Sequence, residues 1–164
     1  MDASELIHYT HSARGRYLKT LSELSWSEVI KDRETSFPSI RDILLHTVDM
    51  EDIAINHTIL GQPSELDMHG PWENFIDITS VKRRIDEVEG KTDVYLSNLT
   101  QSEIERKVPV PRRIGAPFLL RVEDVLVQLV VENVSHFGEL IAILWQMDIQ
   151  PPFLGWPRYL EHSI

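Results

Sequence analysis

Residues 131–146, VENVSHFGELIAILWQ, have the apolar density of a buried helix, yet they include Glu132, His136 and Glu139. Extended in both directions, the stretch gives a line through Val125, Leu129, Glu132, His136, Leu140 and Ile143 with steps of three or four. That is the spacing of one helix face, so Glu132 and His136 stand one above the other on the stripe facing the core. Val130, Val131 and Val134 add apolar surroundings. A buried, isolated carboxylate is expensive, and the usual remedies are a raised pKa, a paired cation or a metal.

The same periodicity predicts a helix over about 122–147, stopped by Pro151-Pro152, and three more before it. Helix one covers about 3–24, with Asp2 as its N-cap and Leu6, Ala13, Tyr17, Leu21 and Leu24 as its apolar line. Ser39 caps a second helix over about 40–60, which Gly61 and Pro63 end. The third is the plainest, because Ile78, Val81, Ile85, Val88, Thr92, Tyr95 and Leu99 form an unbroken seam. Gly90 weakens it by about 1 kcal/mol relative to alanine without breaking it. Residues 102–120, punctuated by Pro109, Pro111, Gly115 and Pro117, predict a small β-hairpin or an extended crossover.

Four helices with two long connections predict an all-α fold, a four-helix bundle in which the second and third helices can run parallel. At 164 residues the chain is expected to form one domain, residues 1–164, with a core that needs no staples. The tail keeps Phe153, Leu154, Trp156, Tyr159 and Leu160, too apolar for a free end, and is expected to pack on the bundle or on a partner chain.

Composition narrows the function. With 42% hydrophobic residues and no apolar run near the roughly 20 residues of a membrane span, no membrane is expected, and the N-terminus lacks the pattern of a secretory signal, so a cytoplasmic setting is expected. The Asn-x-Ser/Thr triplets at Asn56, Asn98 and Asn133 then carry no glycosylation meaning. Without cysteine, any metal must be held by nitrogen and oxygen. A net charge of −10 speaks against nucleic acid, and the basic trio Lys82-Arg83-Arg84 reads as a solvated helix face.

His46 repeats the situation of Glu132 and His136, since the line Ile43, His46, Met50, Ile53 puts a lone imidazole on an apolar face. Two accounts fit: ordinary hydrogen-bonded core groups, including a Glu132–His136 pair that neutralises itself, or a metal site built from facing helices of a bundle. Two histidines and one carboxylate suit zinc or nickel first, then iron or manganese, and leave positions open for water or substrate. His57 returns to the face of His46 but lies about 16 Å further along, beyond the reach of one ion. His8 and His11 fall off the core line of helix one and read as solvated. Glu139, three residues after His136, is placed to accept a hydrogen bond behind a ligand or to carry a proton.

The run SFPSIRDILLHTVDMEDI resembles the second-helix segment of the DinB/YfiT-like metal-dependent proteins, whose histidine at the place of His46 is a ligand. VENVSHFGELIAILWQMDIQPP resembles their fourth-helix motif His-x-x-x-His-Arg-Gly-Gln, with Glu132, His136, Phe137, Gly138 and Glu139 in its named places; ARGRYLKTLSELSWSEVI is similar to their first helix and the turn after it. His46, His136 and Gly138 match, whereas Glu132 stands for a histidine, Phe137 for an arginine and Glu139 for a glutamine. The resemblance implies a down-up-up-down bundle, often a homodimer, with a divalent metal at one end. It also implies a metal-dependent transferase or hydrolase acting on a small-molecule substrate such as a low-molecular-weight thiol, through a metal-activated water or thiolate. Glu139 would then handle protons from behind the ligands, and Gly138 would permit a close approach. The alternative is a non-enzymatic, dimerising or ligand-binding bundle with a structural Glu/His network.

Overall fold

Four long helices, α1 (Ala3–Leu21), α3 (Ile40–Asp52), α4 (Ile78–Ser97) and α6 (Val122–Gln146), form the bundle that the apolar periodicities predict. The computed structural model describes residues 3–63, 71–111, 114–152 and 155–163; the expected cap Asp2 and the tail residues Phe153 and Leu154 lie outside them. Short elements fill the connections: α2 (Trp26–Val29), α5 (Gln101–Glu105), an antiparallel hairpin of β1 (Lys107–Val110) and β2 (Phe118–Arg121), and α7 (Trp156–Ser163). Ser39 caps α3 as expected, its hydroxyl accepting from the Asp42 amide at 3.3 Å. Helix one ends at Leu21, three residues short of the expected end, and part of the predicted crossover is the helical turn α5.

Beyond Asp52, α3 continues as a π-helix, Ile53–Ile59, marked by the Leu60 amide donating to the Ile55 carbonyl five residues back. Gly61, at a φ of 67°, then turns the chain away in a conformation that a side chain would strain.

Helix directions can be read from which residues meet. Arg14 of α1 reaches Asn133 of α6, and Tyr17 reaches the Phe137 carbonyl, so α1 and α6 run parallel. Glu51 of α3 meets Thr92 of α4, and Ile59 further on shares a cluster with Leu96, so these two are parallel as well. Arg14 meets Glu51, while the earlier Ile7 packs with the later Ile55 and Ile59, making α1 antiparallel to α3. The order is down-up-up-down.

The core has two apolar clusters, one including Tyr17, Leu44, Val88 and Phe137, the other Ile7, Ile55, Leu96 and Leu129. A polar layer separates them, with one fully buried residue from each helix: Arg14, Glu51, Thr92 and Asn133. The Glu51 carboxylate receives Arg14 at 2.9 Å, Thr92 at 2.6 Å and His11 at 2.8 Å; Arg14 also donates to Asn133 and to Glu89. Burial alone would raise the Glu51 pKa, but Arg14, His11 and Thr92 outweigh it and hold it at about 2. Glu89, on the same guanidinium, is pushed up by burial against the pull of Arg14.

Three expectations about polar residues need correction. His11 is not solvated, because its side chain closes on Glu51. Arg84 leaves the basic trio's solvated face and is buried between Asp49 and Asp52, each at 3.2 Å; Lys82 and Arg83 stay exposed. Val131 and Val134 do not surround Glu132 but stand about half exposed on the outer side of α6. Gly138 likewise faces open space, where an added Cβ would meet nothing within 4 Å, so no close approach within this chain explains it.

Among the described residues α6 is the one helix with the length and composition of a membrane span, and it is packed into the bundle, carrying Glu132, His136 and Glu139 on its inner half. The tail packs where it is described: the rings of Trp156 and Tyr159 contact Tyr9 of α1 at 5.4 and 5.6 Å.

Candidate metal centre

His46 lies two turns into α3, and Glu132 and His136 lie one turn apart on α6, the antiparallel neighbour of α3. The structure brings all three together. The His46 Nε2 is 3.3 Å and the His136 Nε2 3.2 Å from the same oxygen, Glu132 Oε1, and the two imidazoles stand nearly perpendicular with centres 4.7 Å apart. One ligand atom from each residue lies within 4.8 Å of the others, and among the described residues no other group of three does so. Two ligands about 2.1 Å from one ion at tetrahedral angles lie roughly 3.4 Å apart, so the spacing fits a metal.

The hydrogen inventory points the same way. His136 has a carboxylate at each ring nitrogen, Glu132 at Nε2 and Glu139 at Nδ1, the latter at 3.1 Å. A neutral imidazole has one N–H and can donate to only one of them. With a cation among the three ligand atoms, Nδ1–H donates to Glu139 and Nε2 is free to coordinate, as metal-binding histidines commonly arrange themselves. The second Glu139 oxygen accepts from the Ser36 hydroxyl, which fixes the carboxylate from the far side. Burial lowers the His46 pKa, with the Glu132 hydrogen bond opposing it, a shift toward the neutral form that metal binding requires. Burial acts to raise the Glu132 pKa, but hydrogen bonds from His46 and His136 win and lower it, so the carboxylate is ionised at neutral pH.

One side of the triad is closed by aromatic rings that helical periodicity does not single out. Phe37 stacks on His46 at 4.2 Å and meets His136 edge-on at 5.5 Å, with Trp72 against it. Trp72 is itself held by its indole N–H, which donates to Asp49 at 2.7 Å. Phe37 stands in the connection two residues ahead of the Ser39 cap, and Trp72 begins a short turn, where no helical period reports on burial. The other side is more open: Glu132 keeps 31% of its side chain exposed, against 18% for His46 and 11% for His136. His57 stays apart, its ring bonded to the Gln62 carbonyl.

A model of the DinB superfamily matches residues 9–140, a span that includes His46, Glu132, His136 and most of the bundle. The chain belongs to the DinB superfamily. No curated protein matches it. DinB proteins are associated with metals, and this one has a His46–Glu132–His136 group that can hold an ion.

Proposed function

We propose that this DinB-superfamily protein is a divalent-metal-dependent enzyme, a transferase or hydrolase acting on a small molecule, with His46, Glu132 and His136 as ligands. The observation that carries it is the convergence of two imidazole Nε2 atoms on one carboxylate oxygen, with Glu139 placed behind His136. Zinc or nickel suits this set first, and iron or manganese after them. What such an ion supplies is Lewis acidity, which makes a nucleophile of a water or a low-molecular-weight thiol at neutral pH. The chain's own residues do the rest. Glu139 orients His136, Phe37 excludes water from the imidazole side, and the exposed edge of Glu132 leaves room for substrate.

Elemental analysis of protein purified without an affinity tag tests the centre. One ion per chain is expected, and its loss in Glu132→Ala combined with His136→Ala. Metal that survives both substitutions overturns the ligand set. For the activity, metal-dependent turnover is expected in a screen of thiol-transfer and amide-hydrolysis substrates; a loaded protein that turns over none of them sinks the enzyme.

A non-enzymatic bundle is favoured by a different observation: Glu132 already pairs with both imidazoles as it stands. It predicts a protein that neither holds nor regains metal.

The partner we propose for the outer side of α6 is a second copy of the chain. Val127, Val131, Val134 and Trp145 are exposed there, and from Val125 to Gln146 the only carboxylates are Glu132 and Glu139, on the inner half. Sedimentation should find a dimer that Val131→Glu dissociates; a monomer at tens of micromolar overturns it.

A further inference from the structure

A half-open cavity of about 230 Å³ begins at Glu132 and runs down α6 past Leu129 to Val125, a length of about 10 Å at the helical rise. Its other walls are the end of α3 with the π-helix, through Met50 and Ala54, and the hairpin, through Leu120. Among the described residues that line it, Glu132 is the single charged one; Gln128 and Thr58 are the polar ones, and Gln128 is exposed to solvent. The surface inside is therefore almost wholly hydrocarbon, in a protein whose net charge is −10.

Three facts join this cavity to the triad. Glu132 belongs to both, so whatever fills the cavity ends beside a proposed ligand. Phe37 closes the imidazole side, which leaves the carboxylate side as the approach. The π-helix spans Ile53, Ala54 and Thr58 of the cavity wall, and π segments inside helices are frequent at functional sites.

We infer that the molecule handled at this centre carries an uncharged hydrocarbon arm, a single aromatic ring or an alkyl chain, which lies in the cavity between α6, the π-helix and the hairpin while its polar head reaches His46, Glu132 and His136. An apolar cavity of about 150 Å³ accepts benzene, so 230 Å³ accommodates a ring with a short linker. A sugar or a charged peptide arm would lose its hydration against Leu129, Leu120 and Met50 with little to replace it. The inference rests on the metal reading of the triad, and it deepens that reading by naming the class of substrate.

The test is a series of n-alkyl hydroxamic acids, from acetohydroxamic to octanohydroxamic acid, titrated by calorimetry into zinc-loaded protein. Each added methylene should tighten binding about fourfold until the cavity is full. Ala54→Trp, which fills the cavity, and Leu120→Glu, which charges its wall, should each flatten the series to the affinity of acetohydroxamic acid while zinc remains stoichiometric. Equal affinity along the series in the wild-type protein overturns the arm and leaves the metal centre standing. If the protein takes up no zinc, the metal reading fails and with it the head of the proposed substrate. The arm is then decided by 1-hexanol in the metal-free protein: binding that Ala54→Trp removes sustains the cavity, and no binding overturns it.

Discussion

Two of the groups of polar side chains that interrupt the apolar interior of this bundle solve the cost of burial in opposite ways. In the layer of Arg14, Glu51, Thr92 and Asn133 the charges are matched: Glu51 receives a guanidinium, a hydroxyl and an imidazole, and Arg14 donates to Glu51, Glu89, Asn133 and the Thr47 carbonyl. At the triad, two imidazole nitrogens point at one oxygen, and His136 faces carboxylates on both sides with one proton to give when neutral. The first set matches its charges within the chain and leaves only the buried Arg14 Nε–H without a partner. The second needs an added positive charge, a proton or a metal ion, before His136 satisfies both of its carboxylates.

The largest effect should come from breaking the first set. Arg14→Ala leaves Glu51 buried without its cation, and such losses cost about 3–5 kcal/mol. Urea denaturation should show it, and a loss below about 1 kcal/mol would mean that the layer does not brace the interior. Acid should reveal the same group. Because the folded pKa of Glu51 lies near 2, below its unfolded value, its stabilisation is complete above the unfolded pKa and is lost as pH falls toward 2. The stability of Glu51→Gln, measured over that range, should be flatter with pH than that of the parent.

The triad should behave in the reverse sense. Zinc at a hundred times its Kd is expected to add about 2.7 kcal/mol to the parent protein and nothing to His136→Ala. Without metal, His136→Ala should cost far less than Arg14→Ala; equal losses would make the triad structural after all. The smallest effect belongs to Glu139→Gln, which keeps the shape but weakens the acceptor behind His136. Zinc affinity should fall about 10- to 100-fold with unchanged metal-free stability.

The bundle and the triad could be read from spacing because their information is periodic. The α4 seam and the line from Val125 to Ile143 keep helical steps, and His46, Glu132 and His136 stand out as polar residues on apolar stripes. Arg14 carries the same kind of signal, lying on the step Ile7, Thr10, Arg14, Tyr17, Leu21, but a search for apolar residues passes over a line with two polar members. Arg84 is hidden for a different reason: its neighbours Lys82 and Arg83 are exposed, and charge alone does not tell one helix face from another. Phe37 and Trp72 sit in connections, where burial depends on tertiary contacts that no local period encodes. The π-helix is a change of hydrogen-bond register, and the residues Ile53–Ile59 give no visible cue to it.

That π-helix also governs how the pocket can change over generations. It holds its residues in wider turns than an α-helix would, and it begins seven residues after His46, downstream of that imidazole on the same helix. Deleting one residue within Ile53–Ile59 would restore the α-helical ladder and change which side chains line the wall, while the upstream imidazole keeps its place. A change of chain length there would remodel the cavity wall more coarsely than a point substitution and leave His46, Glu132 and His136 in place.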